Sequence, residues 1–225
     1  MIDAVVFDLD GVLVDSEHVW DEVREELARE RGGRWHERAQ ADMMGMSSPE
    51  WSAYMHDVIG LADPPEEISA EVVRRMERRY ARELPLIEGA IEAVRRLHGV
   101  YRLGLASSSN RPLIDAVLAE AGLSSLFEAT VSSEEVPRGK PAPDVFLEAA
   151  RRLGIAPERV AAIEDSANGL RAAHAAGMRT IAIPNRRYPP PEDALELADA
   201  ILDSLSELTP EIVASPAARP PPNPL

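Results

Sequence analysis

Several features are scarce in this chain of 225 residues, and each scarcity removes a class of protein. Cysteine is absent, which excludes disulfides, zinc thiolates and iron–sulfur clusters. No run of about 18 apolar residues occurs, so we expect no membrane span. Acids interrupt the apolar stretch of MIDAVVFDLDGVLVD, so we expect no signal peptide. The 24 basic residues face 39 acidic ones, giving a net charge of −15. Binding to nucleic acid or to an anionic membrane needs a basic face, so we expect this acidic chain to bind neither. Because we expect neither a membrane span nor a signal peptide, we expect a cytoplasmic protein.

Lysine is almost as scarce as cysteine. Arginine supplies 23 of the 24 basic residues, and Lys140 is the single lysine. Such a bias reflects genome composition more than physics, so the one retained lysine needs a reason. It lies in the segment PRGKPAPD, just before a predicted helix.

Short apolar segments alternate with helical patterns through most of the chain. Predicted strands cover 4–7, 101–106, 129–131, 160–163 and 180–183. Predicted helices cover 89–98, 111–121, 143–153 and 166–176. Continuous apolar strands are typical of a parallel sheet that is covered on both faces. The alternation therefore predicts an α/β fold with a doubly wound, Rossmann-like parallel sheet.

The stretch from 16 to 83 interrupts this alternation. It contains four helical patterns and no clear strand; the helices are predicted at 16–31, 36–43, 48–59 and 66–83. We expect an all-helical cap domain at 16–83, inserted into a core domain made of residues 1–15 and 84–213. The proline-rich segment 214–225 cannot build a core and is predicted to be a disordered tail.

Acidic and hydroxyl side chains follow the predicted strands. Ligands of an open parallel sheet bind beyond the carboxyl ends of its strands. The residues expected there are Asp8, Asp10, Ser107, Glu164 and Asp165. Carboxylates crowded together repel one another unless a cation is bound, and hard oxygen ligands favour Mg²⁺. Each element alone is more common as a turn or a helix cap. Their joint order, with Lys140 beside them, favours a site for a metal ion and a phosphate.

At these residues the chain resembles the haloacid-dehalogenase superfamily, in its β-phosphoglucomutase-like and phosphoglycolate-phosphatase-like branch. The resemblance covers about residues 1–213. Its motifs are FDLDGVLVDSE (7–17), LASSSN (105–110), RGKPAPDVF (138–146) and IEDSANGLRAAHAAGM (163–178). It implies a phosphatase with a Mg²⁺ cofactor and a helical cap over the active site.

The resemblance also implies roles for individual residues. Asp8 would be the nucleophile that forms an aspartyl-phosphate, and Asp10 would be the general acid and base. Ser107 would hydrogen-bond the transferring phosphoryl group, and Lys140 would neutralise charge between that group and Asp8. The implied metal ligands are Asp8, Asp10 through its backbone carbonyl, Asp165, and Glu164 either directly or through water.

The chain departs from the β-phosphoglucomutase pattern in its cap. Those mutases carry a histidine where Trp20 stands, and a basic pair where this chain has Met44 and Ser48. A mutase must hold a second phosphate, so hydrolysis of a small phosphorylated metabolite is favoured, with a sugar or polyol phosphate as the expected substrate. A β-phosphoglucomutase-like mutase remains the alternative, and a non-catalytic relative would be expected to lack Asp8, Asp10 or Lys140.

Substrate contacts are expected from both parts of the chain. The candidates are Ser108, Asn110, His18, Trp20, Gly45, Ser48 and Trp51. The two tryptophans have a second interpretation, in which they pack the interior of the cap. Because a capped site needs no partner subunit to close it, we expect a monomer.

Overall fold

A six-stranded parallel sheet forms the centre of the fold. The computed structural model describes residues 1–43, 46–186 and 188–215. The strands are β1 (Ala4–Phe7), β2 (Arg102–Ser107), β3 (Ala129–Ser132), β4 (Val160–Glu164), β5 (Arg179–Ala182) and β6 (Ala200–Ile201). Their order is β3-β2-β1-β4-β5-β6, and every neighbouring pair is parallel. This confirms the predicted α/β class.

Helices cover the sheet and form a separate layer beside it. Their bounds are α1 (Glu17–Glu30), α2 (Ala39–Met43), α3 (Ser48–Asp57), α4 (Pro65–Tyr80), α5 (Ala90–His98), α6 (Arg111–Glu120), α7 (Asp144–Leu153), α8 (Ala167–Ala175), α9 (Glu192–Leu195) and α10 (Pro210–Ala214). None of the helices within the described ranges has the length and apolar sequence needed to cross a bilayer.

The sheet is buried on both faces, as its continuous apolar strands predict. Successive side chains of a strand point to opposite faces, and β1 shows the result. Val5 and Phe7 belong to the apolar cluster that contains the buried residues of α5 and α6. Ala4 and Val6 belong to the cluster formed with α7 and α8. A strand with two apolar faces is thereby fixed at the centre of the molecule, and its carboxyl end is fixed with it.

Helices α1 to α4, here called the helical segment, lie between β1 and α5 in the chain. α4 shows why this segment folds as a layer. Its residues Ile68, Val72, Met76 and Tyr80 are buried, and their spacing of four places them on one helix face. The chain leaves the sheet and returns to it through two paired stretches, since the N–H of Asp15 donates to the carbonyl of Pro85 at 2.8 Å.

The structure differs from the sequence prediction at the carboxyl end of the chain. The two-residue strand β6 and the short helices α9 and α10 were not predicted, because segments of two to five residues carry too little periodicity. The predicted tail also begins too early. Residue 214 ends α10, and Arg179 donates to the carbonyl of Ser215. The remainder of the predicted tail, 216–225, lies outside the described residues. The helix predicted at 36–43 is shorter, spanning Ala39–Met43.

Candidate active site

A cavity of about 410 Å³ lies between the carboxyl edge of the sheet and the helical segment. The predicted site residues that line it from the sheet side are Asp8, Asp10, Ser108, Lys140 and Asp165. The helical segment contributes Glu17, Trp20, Arg24 and Trp51. Its position agrees with the rule that ligands of open parallel sheets bind beyond the carboxyl ends of the strands.

Three buried carboxylates meet at this edge because their strands are neighbours. β1 and β4 are paired in register, so Asp8 follows Phe7 while Glu164 ends the adjacent strand and Asp165 follows it. The N–H of Asp8 donates to the carbonyl of Ile163 at 2.9 Å, which continues the ladder to the site. Ligand atoms of the three carboxylates all lie within 4.8 Å of one another.

Two glycines make room for these carboxylates. Gly11 has a φ of +79°, and a Cβ there would lie 1.9 Å from Oδ2 of Asp165. Gly169, in the first turn of α8, would place a Cβ 1.8 Å from Oε1 of Glu164. Only the absence of a side chain at both positions allows the acids to pack where they do.

Lys140 joins the cluster from the loop that precedes α7. Its Nζ donates to Oδ1 of Asp8 at 2.7 Å, to Oε1 of Glu164 at 2.6 Å and to the carbonyl of Ala106 at 3.1 Å. The side chain is 3% exposed. All three N–H groups of the ammonium thus have acceptors, and the one lysine of the chain lies at the acidic cluster.

Burial and charge both act on the ionisation of these groups. Burial raises the pKa of Asp165 well above its ordinary value, and the charges of Glu164 and Asp8 raise it further. Burial, opposed by Lys140, also raises the pKa of Asp8. Burial alone would lower the pKa of Lys140, but Asp8 and Glu164 raise it above its ordinary value. Burial therefore disfavours the ionised forms of Asp8 and Asp165, and a nearby cation favours them.

The cluster suits a divalent cation. With every group ionised, its three carboxylates and single ammonium carry a net charge of −2, which one divalent ion neutralises. Carboxylate oxygens are the donors that Mg²⁺ prefers. Glu164 has the least free acceptor capacity of the three, since its Oε2 already accepts from the N–H groups of Asp165 and Ser166. Asp8 and Asp165 therefore have more free oxygen capacity for a metal ion.

Asp10 is held apart from the cluster by hydroxyl groups. Ser16 Oγ donates to its Oδ1 and Ser109 Oγ to its Oδ2, each at 2.6 Å. The indole of Trp20 donates to Oδ1 at 3.3 Å, and Ser107 Oγ lies 3.4 Å from Oδ2. The Asp10 carboxylate is thus oriented by groups from both the sheet and the helical segment. Its side chain is not part of the three-carboxylate group, consistent with an expected metal contact through the backbone.

The remaining predicted contacts are placed unequally. Trp20 and Trp51 line the cavity but are 6% and 2% exposed, so packing of the helical segment accounts for most of their surface. Ser48 Oγ donates to Oδ1 of Asn110 at 2.8 Å, a buried contact between the helical segment and the start of α6. Neither Ser48 nor Asn110 is among the described residues that line the cavity.

Two further predicted contacts lie away from the cavity or outside the description. The His18 side chain is 39% exposed, with its Nδ1 3.9 Å from Oδ1 of Asp15, and it does not line the described cavity. The fold does not bring it to the other site residues. Gly45, like Met44, lies outside the described residues.

Four residues around the site were not predicted as site residues from their place in the sequence: Glu17, Arg24, Gln40 and Ser109. Gln40 Nε2 donates to Oε2 of Glu17 at 2.8 Å, and Arg24 Nη1 donates to Oε1 of Gln40 at 3.3 Å. Helical spacing could have identified two of them. Residues three and four apart share a helix face. Glu17 is three residues before Trp20 and Arg24 is four after it, so a site at Trp20 predicts that both lie near the site.

Comparisons with known proteins agree with this geometry. The model of a family described as haloacid dehalogenase-like hydrolase matches residues 2–177. Hexitol phosphatase B of Escherichia coli K12 is 33% identical, over 92% of this chain and 94% of that protein. Fructose-1-phosphate phosphatase YqaB of the same organism is 31% identical, over 79% and 94%. The crystal structure of CbbY from Rhodobacter sphaeroides, in complex with phosphate, is similar with a TM-score of 0.83 and 29% identity, over 92% of this chain and 96% of that one.

Proposed function

The chain belongs to the haloacid dehalogenase-like hydrolases, and we propose that it is a magnesium-dependent phosphatase of small sugar or polyol phosphates. The observation that carries this proposal is the position of Lys140 between Asp8 and Glu164, at 2.7 and 2.6 Å. This arrangement places a buried, oriented carboxylate beside a cation at the wall of the cavity. The substrates for which the similar proteins are named, hexitol phosphates and fructose 1-phosphate, support the substrate class.

In the proposed reaction, Asp8 is the nucleophile. Its carboxylate oxygen forms a bond to phosphorus while the bond from phosphorus to the alcohol oxygen breaks. A dianionic phosphate that approaches a carboxylate meets like-charge repulsion. Lys140 offsets part of this repulsion from its position against Asp8, so positioning and electrostatics supply most of the catalysis. Bound Mg²⁺, held by Asp8, Asp165 and the backbone of Asp10, would stabilise the charge on the phosphoryl oxygens.

Asp10 handles the protons of both steps. It donates a proton to the departing alcohol oxygen as the Asp8–phosphate forms. It then takes a proton from the water that attacks phosphorus, which breaks the bond to Asp8 and releases inorganic phosphate. Ser16 and Ser109, which donate to its two oxygens at 2.6 Å, keep its carboxyl group in one orientation for both steps.

Hydrolysis is favoured over the mutase reaction by the cap contacts. Ser48, which stands where the mutases carry a basic residue, donates to Asn110 and so holds the helical segment against the sheet domain. Glucose 1-phosphate separates the two functions. A phosphatase releases inorganic phosphate from it, whereas its conversion to glucose 6-phosphate without phosphate release would establish the mutase.

The nucleophile is tested directly by substitution. Asp8→Asn should reduce phosphate release from p-nitrophenyl phosphate by at least about 10³-fold, since the covalent step is lost. Chelation of divalent cations should reduce the wild-type rate similarly. Asp115→Asn, at a carboxylate that is 63% exposed on α6, is the matched control and should retain full activity. Activity of Asp8→Asn near the wild-type rate would refute the mechanism. A panel of phosphorylated metabolites then ranks the substrates.

A further inference from the structure

Two cations line the cavity in the part of the chain that the structure describes, and the proposed reaction uses only one. Lys140 reaches the cavity from the sheet and pairs with the acidic cluster. Arg24 reaches it from α1 of the helical segment. The two cations therefore face opposite ends of a molecule bound in the cavity.

Arg24 is buried, but it has fewer hydrogen-bond and ion-pair partners than a buried guanidinium normally has. It is 5% exposed, and its Cζ lies 4.6 Å from the ring centroid of Trp20 and 4.7 Å from that of Trp51. Its Nη1 donates to Gln40 at 3.3 Å, and its Nε has no hydrogen-bond partner among the described residues. Contact with two indole faces supports a cation, but only one of the five N–H donors has a hydrogen-bond acceptor among the described residues.

Carboxylates act on Arg24 only at longer range: Glu17, Asp10 and Asp21 raise its pKa, in that order. Among the described residues no acidic side chain forms an ion pair with it, and the neutral amide of Gln40 separates it from Glu17. Burial lowers the pKa of Arg24 to about 10, so it stays charged at neutral pH. A buried charge is stable when it is paired. A missing partner at the wall of a cavity that binds substrate is most simply supplied by the substrate.

We propose that Arg24 binds a carboxylate at the far end of the substrate's leaving group. This inference rests on the proposed phosphatase function and narrows its substrate class from neutral sugar and polyol phosphates to sugar-acid phosphates. Arg24 is then a specificity-determining residue, since its planar fork matches the two oxygens of such a group.

Matched substrate pairs test the proposal. Each pair has the same carbon chain and ends in either a carboxylate or a hydroxymethyl group: 3-phosphoglycerate against glycerol 3-phosphate, erythronate 4-phosphate against erythritol 4-phosphate, and 6-phosphogluconate against sorbitol 6-phosphate. For at least one pair, kcat/KM of the wild-type enzyme should favour the doubly anionic member by at least about tenfold, as a charge-assisted hydrogen bond allows.

Substitution then assigns that preference to Arg24. In Arg24→Met, which keeps the contact with the two indoles, the ratio should fall to about twofold or less, mainly through KM of the anionic member. Arg24→Lys should retain an intermediate ratio, because it keeps the charge without the fork. Arg29→Met, on the same helix at a side chain that is 74% exposed, should keep the wild-type ratio. Both members are assayed on one preparation, so the ratio does not depend on the fraction of folded enzyme.

Three outcomes are distinct. If the wild-type enzyme turns over the neutral member as well or better in every pair, the inference is overturned while the phosphatase function stands. An anionic preference that persists unchanged in Arg24→Met also overturns it. Release of phosphate from none of these compounds, nor from p-nitrophenyl phosphate, would instead overturn the proposed function. The wild-type ratios decide the first case even if the Arg24 variants do not fold.

Discussion

Gly169 offers a sharp test of how tightly the acidic cluster is packed. Glycine to alanine in a helix normally stabilises a protein by up to about 1 kcal/mol. Here the added Cβ would lie 1.8 Å from Oε1 and Cδ of Glu164, and ordinary contact begins at 3.4 Å, so the carboxylate must move by about 1.6 Å. The substitution Gly169→Ala therefore has two opposite effects on stability. It raises the helix propensity of α8, and it displaces the buried carboxylate of Glu164.

The tertiary effect should be the larger. Glu164 is fully buried, and its carboxylate accepts from Lys140 Nζ at 2.6 Å, from the N–H groups of Asp165 and Ser166 at 3.0 and 3.1 Å, and from Ser166 Oγ at 3.1 Å. A movement of this size breaks most of these bonds. Disrupting a buried, hydrogen-bonded ion pair costs about 3–5 kcal/mol. After the helix gain is subtracted, we expect a net destabilisation of about 2–4 kcal/mol.

Thermal unfolding measures this loss. A decrease of that size lowers the Tm of a protein of this length by roughly 4–16 °C. Gly99→Ala is the control, because the nearest atom to its added Cβ is the Arg96 carbonyl oxygen at 3.6 Å, and its Tm should match the wild type. In a Glu164→Ala background the same Gly169 substitution should cost nothing, since the clash is gone. A Gly169→Ala protein as stable as the wild type, or an equal cost in both backgrounds, would refute the packing described for the cluster.

Three further predictions concern the cavity. Lys140→Met should lower the free energy of unfolding by about 3–5 kcal/mol in urea denaturation, because two buried carboxylates lose their counter-charge; a loss below about 1 kcal/mol would contradict the ion pairs. Burial, with Asp10 second, raises the pKa of Glu17 from 4.5 to about 7, so its ionised form destabilises the folded state as pH rises through that interval. Glu17→Gln should therefore be more stable than the wild type by about 1–3 kcal/mol at pH 8 and equal to it at pH 4, and the same difference at both values would exclude this pKa shift. Ser109→Ala should lower kcat on p-nitrophenyl phosphate by about tenfold with KM little changed, since Asp10 loses its 2.6 Å donor; an unaltered kcat would show that this bond does not position Asp10.

Strands β1 to β5 could be predicted because they are short and largely apolar, and β1 to β4 end at or directly before a polar residue. Asp8 and Glu164 come together for the same reason, since parallel neighbours end at one edge of the sheet. The same reasoning could not identify β6, whose two residues pair only with β5. Nor could reasoning from strand ends identify Arg24, which lies on a helix. Its spacing of four from Trp20 indicates that the two share a helix face, but its contact with Trp51 depends on how α1 packs against α3.

The role of His18 shows the limit of motif spacing. It directly follows Glu17, which lines the cavity, yet its side chain points toward Asp15 and solvent. On a helix, consecutive residues lie about 100° apart, so neighbours in a motif need not share a face. The register of α1 is fixed by packing of the helical segment, and that packing involves residues distant in sequence.

The paired stretches that join the helical segment to the sheet have a consequence for evolution. Val14 forms a bridge with Leu86, and the N–H of Ile87 donates to the carbonyl of Leu13 at 3.0 Å, so the segment enters and leaves at nearly one point. An insert whose ends are adjacent can be exchanged or lengthened without disturbing the strands on either side. Recognition of the leaving group can then diversify in one module while the machinery for phosphate cleavage is inherited unchanged in the other.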